Sequence, residues 1–348
     1  MAQEGQPPET REHTSPDPAL VSAWQRLLDY DRISTGQKSA YQTTRSWIIA
    51  LGLFTTAAAV FNTYIPFLES AFRIALIIMP IATVLLMNYA SQFAGSTVWL
   101  QHRASAEIIR SQIYRYRTGV GDYQSKTERE RQYTLLNSIQ DINRQVSTQD
   151  SPPHIQIPLE EVIAAVKQKT NAPDADDGFS TMTVDEYIWW RVRPQLDWYT
   201  NKIQKDYQNM RQERAWSLVV SGAGSILAAM GETFAALVAI TTAMGVALNR
   251  RAELRMYGAT YSIYQWAANS LQDELDEWNI LPQSEKTEDA VSAFVLRVEG
   301  IFSEEREMWR DQATQIQMSS EQAIFSSQSA PGGTSGSIRV NKYDGGVG

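Results

Sequence analysis

The chain contains no cysteine, which excludes disulfides, zinc–thiolate centres and thiol nucleophiles together. Histidine is almost as scarce. His13, His102 and His154 lie far apart, so they offer no local spacing for a metal ion, and no cofactor is implied. A phosphate-binding loop of the form Gly-x4-Gly-Lys-Ser/Thr is also missing. Gly222-Ala223-Gly224 lacks both the third glycine and a preceding strand, so it reads as helix packing. Basic residues are outnumbered, with 31 Lys and Arg against 39 Asp and Glu and a net charge of −8, which argues against a nucleic-acid partner. The first 45 residues are polar, hold Pro7, Pro8, Pro16 and Pro18, and show no signal-peptide pattern, so insertion into a membrane would use the spans themselves. Catalysis finds little local support. Glu107 with Arg103 and Arg110 reads as a surface ion-pair ladder without a companion base or nucleophile. The acidic run Asp174–Asp177 is out of register with a calcium loop and reads as solvated linker.

A mean hydropathy of −0.33 conceals how strongly charge is segregated. None occurs from Ser46 to Leu68 or from Ile74 to Gln101, and Glu232 is the single exception from Ala215 to Asn249. A helix needs about 20 mostly apolar residues to cross a hydrocarbon core about 30 Å thick. The first two runs predict spans over Trp47–Leu68 and over Ile74–Asn88 plus about a turn. Glu69–Arg73 would be the outer loop, Trp47 and Tyr64 interfacial anchors, Pro66 a terminator and Pro80 a kink. The third run predicts two short spans, Ala215–Gly231 and Thr233–Asn249, turning at Gly231-Glu232-Thr233. Glu232 then sits at the far membrane face.

Apolar hairpins could also be buried in a large soluble core, but flanking charge argues for a bilayer. Lys38, Arg45, Arg103, Arg110, Lys202, Lys205, Arg211, Arg214, Arg250, Arg251 and Arg255 lie on the open side of the hairpins, and the turns offer only Arg73. The positive-inside rule then predicts a multi-pass plasma-membrane protein with both termini cytoplasmic. The fold class expected is an all-α integral membrane protein with two transmembrane helical hairpins, four spans in all, and long cytoplasmic helices.

The chain also repeats itself. Leu28-Asp29-Tyr30 lies 17 residues before Arg45-Ser46-Trp47, and Leu196-Asp197-Trp198 lies 18 residues before Arg214-Ala215-Trp216. After each hairpin comes an exit helix, Thr97–Arg117 or Arg250 to about Trp278. A loop follows, Gly119–Tyr123 in the first unit and the break at Pro282 in the second. Each unit closes with an amphipathic helix, carrying Leu135, Leu136, Ile139, Ile142 and Val146 or Val291, Phe294, Val295, Val298, Ile301 and Phe302. The expected domains are a first unit at 21–148 and a second at 184–325. Residues 149–183 form a linker with a short helix at Leu159–Lys169, and residues 1–20 and 326–348 are flexible tails.

The pattern resembles the SLATT superfamily of two-transmembrane modules and the related DUF4231 family. In the first unit the resemblance rests on Arg45-x-Trp47, Trp99-x3-Arg103-x3-Glu107-x2-Arg110, Tyr114-x-Tyr116 and Gly121-Asp122-Tyr123. In the second it rests on Leu196-Asp197-Trp198, Arg214-x-Trp216 and Tyr257, Tyr261, Tyr264, Trp266 and Trp278. It implies two subfamilies in tandem and a membrane effector, forming pores in nucleotide-signal-linked bacterial conflict systems. The chain departs from sensor-fused members in lacking a recognisable nucleotide-binding or protease domain.

Polar residues inside the spans are the candidate site. Ser217, Ser221 and Ser225 recur every four residues, and Thr241 and Thr242 sit in the fourth span. Hydroxyls of this kind either knit helices together or border water in an oligomeric pore. Glu232, and to a lesser degree Glu69, is a turn residue that would form an acidic, cation-favouring ring in a symmetric oligomer. The expected function is therefore a homo-oligomeric pore or ion channel in the lipid bilayer, gated by its cytoplasmic helices or by a cytoplasmic partner or ligand. The alternative is a non-conducting scaffold that recruits such a partner.

Overall fold

A computed structural model describes residues 16–92, 96–146, 157–169 and 176–328, and every regular element among them is helical. The expected tails, His13, His154, Ser151-Pro152-Pro153 and Asp174 lie wholly or mostly outside the described residues.

Helix α1 spans Pro18–Tyr64. Asp17 caps it by accepting a hydrogen bond from the Ala19 amide at 2.7 Å, and Pro18 occupies the first turn, where its missing N–H costs nothing. The helix continues without a break from a polar half into an apolar one, about 70 Å at 1.5 Å per residue. It stops at Tyr64 because Ile65 precedes Pro66 and is pushed out of the helical region to φ −125°. A single 3₁₀ turn, Pro66–Leu68, reverses the chain into α2, Glu69–Gln92. The reversal therefore comes earlier than expected, and Glu69–Arg73 is the first turn of α2 rather than an outer loop. Pro80 is accommodated within α2.

The exit helix α3, Ser96–Thr118, ends where Gly119 and Gly121 adopt φ of +71° and +60°. Helix α4 covers Glu128–Val146, and α5, Leu159–Lys169, has the predicted limits. Helix α6, Val184–Tyr187, opens the second unit with a capping box in which Thr183 and Glu186 satisfy each other's amides. A π-helical turn, Ile188–Val192, feeds α7, Arg193–Ala229. The second reversal uses Gly231 at φ +96° and a 3₁₀ turn over Glu232–Phe234 before α8, Ala235–Arg255. Met256 at φ +54° separates α8 from α9, Tyr257–Ile280, so the second exit helix begins later than the predicted Arg250. Helix α10 covers Glu288–Gln328.

The apolar arms lie side by side. Helix α1 packs against α2 and against α8, and α8 packs against α7. The tips are level, since the Tyr64 hydroxyl at the end of α1 donates to the Thr233 carbonyl at 3.1 Å. Among the described residues, three helical stretches are long and apolar enough to cross a membrane: Pro18–Asn62, Pro66–Ala90 and Glu232–Ile280. The arm of α7 that completes the second hairpin is not one of them. Its apolar part ends at Ala229 and is diluted by Ser217, Ser221, Gly222, Gly224 and Ser225.

Below the hairpins sit two packed clusters. The first joins Leu20, Trp24, Leu27 and Tyr30 of α1 to Ile109 and Ile113 of α3, Leu135 and Ile139 of α4, and Val162 and Val166 of α5. Each such fully buried side chain contributes roughly 1.5–3 kcal/mol. The second contains Tyr187, Tyr199, Tyr264, Leu271, Trp278, Phe294, Val298 and Phe302, and it takes in Tyr114 of α3 and Val120 of the loop after it from the first unit. The repeat is visible in both, one residue out of the predicted register. Tyr30 and Tyr199 are the buried rings, each 17 residues before its Trp47 or Trp216, whereas Trp198 is 42% exposed. Tyr30 meets His102 of its exit helix edge-on at 5.5 Å, and Tyr199 meets Tyr264 of its own at 5.3 Å.

Candidate functional site

The hydroxyl-bearing residues divide between two faces. Val220 is buried and Ser217, Gly224 and Leu227 are half-buried on the α8 side of α7, while Ser221 and Ser225 are exposed. Gly224 is the close-packing residue, because a Cβ built there would lie 2.8 Å from Thr241 Oγ1 of α8. Thr241 therefore belongs to the helix contact, and Thr242 is exposed. Four residues advance a helix by slightly more than one turn, so the serine series drifts around α7 instead of holding one face. The Ser225 hydroxyl donates to the Ser221 carbonyl at 3.0 Å, and Thr241 and Thr242 donate to the Val238 carbonyl at 2.9 and 2.8 Å.

Glu232 is exposed at the tip of the second hairpin, as expected. Glu69 opens α2 and bonds Arg73 at 2.5 Å, one turn on. Both of those side chains are largely exposed, so their pairing contributes about 0–1 kcal/mol.

Beneath the hairpins lies a charged joint between the units, which the sequence reading missed. Arg191 sits in the π-helical turn, where the widened backbone aims its guanidinium inward. Glu299 of α10 accepts from Arg191 Nε at 3.2 Å, from Arg191 Nη2 at 3.3 Å and from the Tyr187 hydroxyl at 2.9 Å. The two charged side chains are 5% and 3% exposed. The Arg191 guanidinium also lies 4.2 Å from the Phe302 ring centre and 5.0 Å from that of Tyr114 on α3, so the first unit closes the shell.

Glu107, Arg103 and Arg110 are a second correction. They form no open surface ladder: the Glu107–Arg110 pair at 2.8 Å has side chains only 22% and 18% exposed, in the electrostatic field of α10. Burial raises the Glu107 carboxyl, but Arg110, Arg191, Arg103 and Arg306 outweigh it and hold the group below its ordinary value. Glu305 of α10 goes the other way. Burial pushes it up to about 7, with Glu107 adding to the rise and Arg103, Arg306 and Arg191 opposing it.

The acidic linker is corrected likewise. Asp176 is buried and takes both ends of the Arg117 guanidinium, and Arg117 Nε donates to the Ser180 carbonyl at 2.9 Å. Asp177 caps the Phe179 and Ser180 amides at 2.8 and 2.9 Å. This segment clamps the exit helix of the first unit to the start of the second. A signal for the joint does exist in the sequence. Glu299 stands four residues after Val295 and three before Phe302, a carboxylate inside an apolar stripe that needs a buried cation.

Two family profiles match the chain. Residues 25–131 match DUF4231, a protein family of unknown function, and residues 187–309 match the SMODS and SLOG-associating 2TM effector domain 1, SLATT_1. No curated protein and no solved structure matches it. The first match runs from within α1 to the first turn of α4, and the second from Tyr187 of the joint into α10. The chain is a tandem of a DUF4231 domain and a SLATT_1 two-transmembrane effector domain.

Proposed function

We propose that the protein is a membrane effector that assembles from several copies and conducts ions, with two hairpins crossing the cytoplasmic membrane and the helical clusters on the cytoplasmic side. The observation that carries this reading is the outer face of α7. Val220 and Gly224 supply its packing against α8, and Ser221 and Ser225 remain exposed on a single chain. The row α2, α1, α8, α7 encloses no hydrated path of its own, so a conducting path would run between copies. Glu232 at the tip would then recur around the axis as an acidic ring selecting cations. The basic residues flanking the open ends support the orientation. The charged joint couples the two units and is the natural place for a gating signal to act.

One observation favours a second reading, a non-conducting scaffold. Ser225 and Thr242 are already satisfied by carbonyls of their own helices, so they tolerate lipid without water. Current through planar bilayers containing the purified full chain separates the two. Conduction predicts discrete steps, with a reversal potential under asymmetric salt that moves in Glu232→Gln and a unit current that falls in Ser221→Leu. Silence across voltage and salt in a correctly inserted oligomer supports the scaffold.

A further inference from the structure

The polar half of α1 meets its apolar half at a cleft of about 650 Å³. Thr35, Lys38, Ser39 and Gln42 line its polar end and Trp47 its apolar end, and Arg255, at the break between α8 and α9, closes the side. Two cations and several hydroxyl or amide donors face this space, and among the described residues no carboxylate is in its wall.

The cations around it are unevenly matched. Lys202 is held by Asp206 at 2.6 Å, and Arg103 feels Glu107 and Glu305. Glu213 of α7 acts on Arg255 from outside the wall. Lys38 lies 5.3 Å from the Trp99 ring centre, and burial with Arg103, Lys202 and Arg255 pulls its ammonium down to about 8, against the opposing pull of Asp206. A positive group crowded by other positive groups gains from an anion placed among them. Location narrows the class of anion. The cleft extends from Thr35 to Ala50, about 22 Å along the helix, from polar chain into the first turn of the span, the depth at which phospholipid headgroups sit.

We propose that this cleft binds a phosphoryl anion, supplied by the headgroup of an anionic phospholipid with its acyl chains running up past Trp47 and Ala50. Lys38 and Arg255 carry the charge recognition, and Thr35, Ser39 and Gln42 donate to the remaining oxygens. The inference rests on the membrane placement given above but not on conduction.

Calorimetric titration of the detergent-solubilised full chain tests it with three titrants: dioctanoyl phosphatidylglycerol, dioctanoyl phosphatidylcholine and inorganic phosphate. Phosphatidylglycerol should bind at least roughly tenfold more tightly than phosphatidylcholine, given about one kcal/mol for each basic residue near anionic lipid. Lys38→Gln with Arg255→Gln should remove that preference, and Lys38→Arg should keep it. Lys126→Gln, on a distant loop, controls for net charge. Binding of inorganic phosphate alone, lost in the double variant, supports the phosphoryl site and assigns it a soluble source. Equal binding of the two lipids with no phosphate binding, or a preference that survives the double variant in folded protein, overturns the proposal. These outcomes are read without any current, so they stand apart from the fate of the channel.

Discussion

Replacing Glu299 by Gln perturbs the joint at its most buried point. The variant keeps an acceptor for the Tyr187 hydroxyl and nearly the same volume, so the change is one of charge. It leaves the Arg191 guanidinium, 5% exposed, without its carboxylate between the Phe302 and Tyr114 rings. Glu107 is the next carboxylate acting on it, and that group is already shared with Arg110. Breaking a buried pair by removing one partner costs about 3–5 kcal/mol, because an uncompensated charge remains. Removing both charges leaves no lone guanidinium behind, and its remaining cost is chiefly the Tyr187 hydroxyl, which loses its acceptor. The Arg191→Met, Glu299→Leu double variant should therefore recover most of the loss. Denaturant unfolding of the detergent-solubilised chain can be followed by tryptophan emission, to which Trp189 and Trp190 beside Arg191 contribute two of ten tryptophans. A cycle over wild type, Arg191→Met, Glu299→Leu and the double variant should give a coupling energy of about 1–3 kcal/mol. A cost under about 1 kcal/mol for Glu299→Gln, or additive single variants, would refute the view that the pair fixes α10 to the start of the second unit, where Tyr114 of α3 packs on it.

Glu305 gives the joint a pH dependence. Its folded-state value near 7 stands above that of an exposed glutamate, so the folded chain holds a proton the unfolded chain releases. Stability should fall as pH rises from about 4.5 to 7, by up to about 3 kcal/mol. Glu305→Gln should flatten that slope, raising the melting temperature at pH 8 more than at pH 5, and an equal effect at both would contradict the assignment. Gly224→Val should separate α7 from α8, because the Cβ would fall 2.8 Å from Thr241 Oγ1. A loss of about 1–3 kcal/mol is expected in thermal melts, and Thr241→Ala should return part of it.

The sequence declares its architecture because long charge-free runs and amphipathic stripes are strong local signals. The charge-free runs located both hairpins, and the apolar spacing in α4 and α10 selected side chains that are buried or partly buried. The reversals were less legible. Glu69–Arg73 is polar enough to pass for a loop, yet Pro66 had already ended α1 and the polar stretch was free to start the next helix. The break at Met256 carries no glycine or proline to announce it. Charges misled in the opposite sense. Glu107, Arg103 and Asp176 have ordinary surface identities, and only the approach of α10 and of the 176–182 segment to α3 half-buries the first two and buries Asp176. Such long-range pairing is invisible to local spacing. Ser217 and Ser221 looked equivalent at four-residue intervals, and the drift of the helix put one toward α8 and left the other open.

The central claim is that two hairpins cross the membrane with their tips on one side and the helical clusters on the other. The chain has no cysteine, so single introduced thiols report cleanly. Ser70→Cys and Thr233→Cys at the exposed tips should react in intact cells with a membrane-impermeant maleimide. Ser125→Cys, beside the loop after α3, should react only after the membrane is opened. Labelling of Ser125→Cys in intact cells, or protection of one tip while the other reacts, would contradict the account.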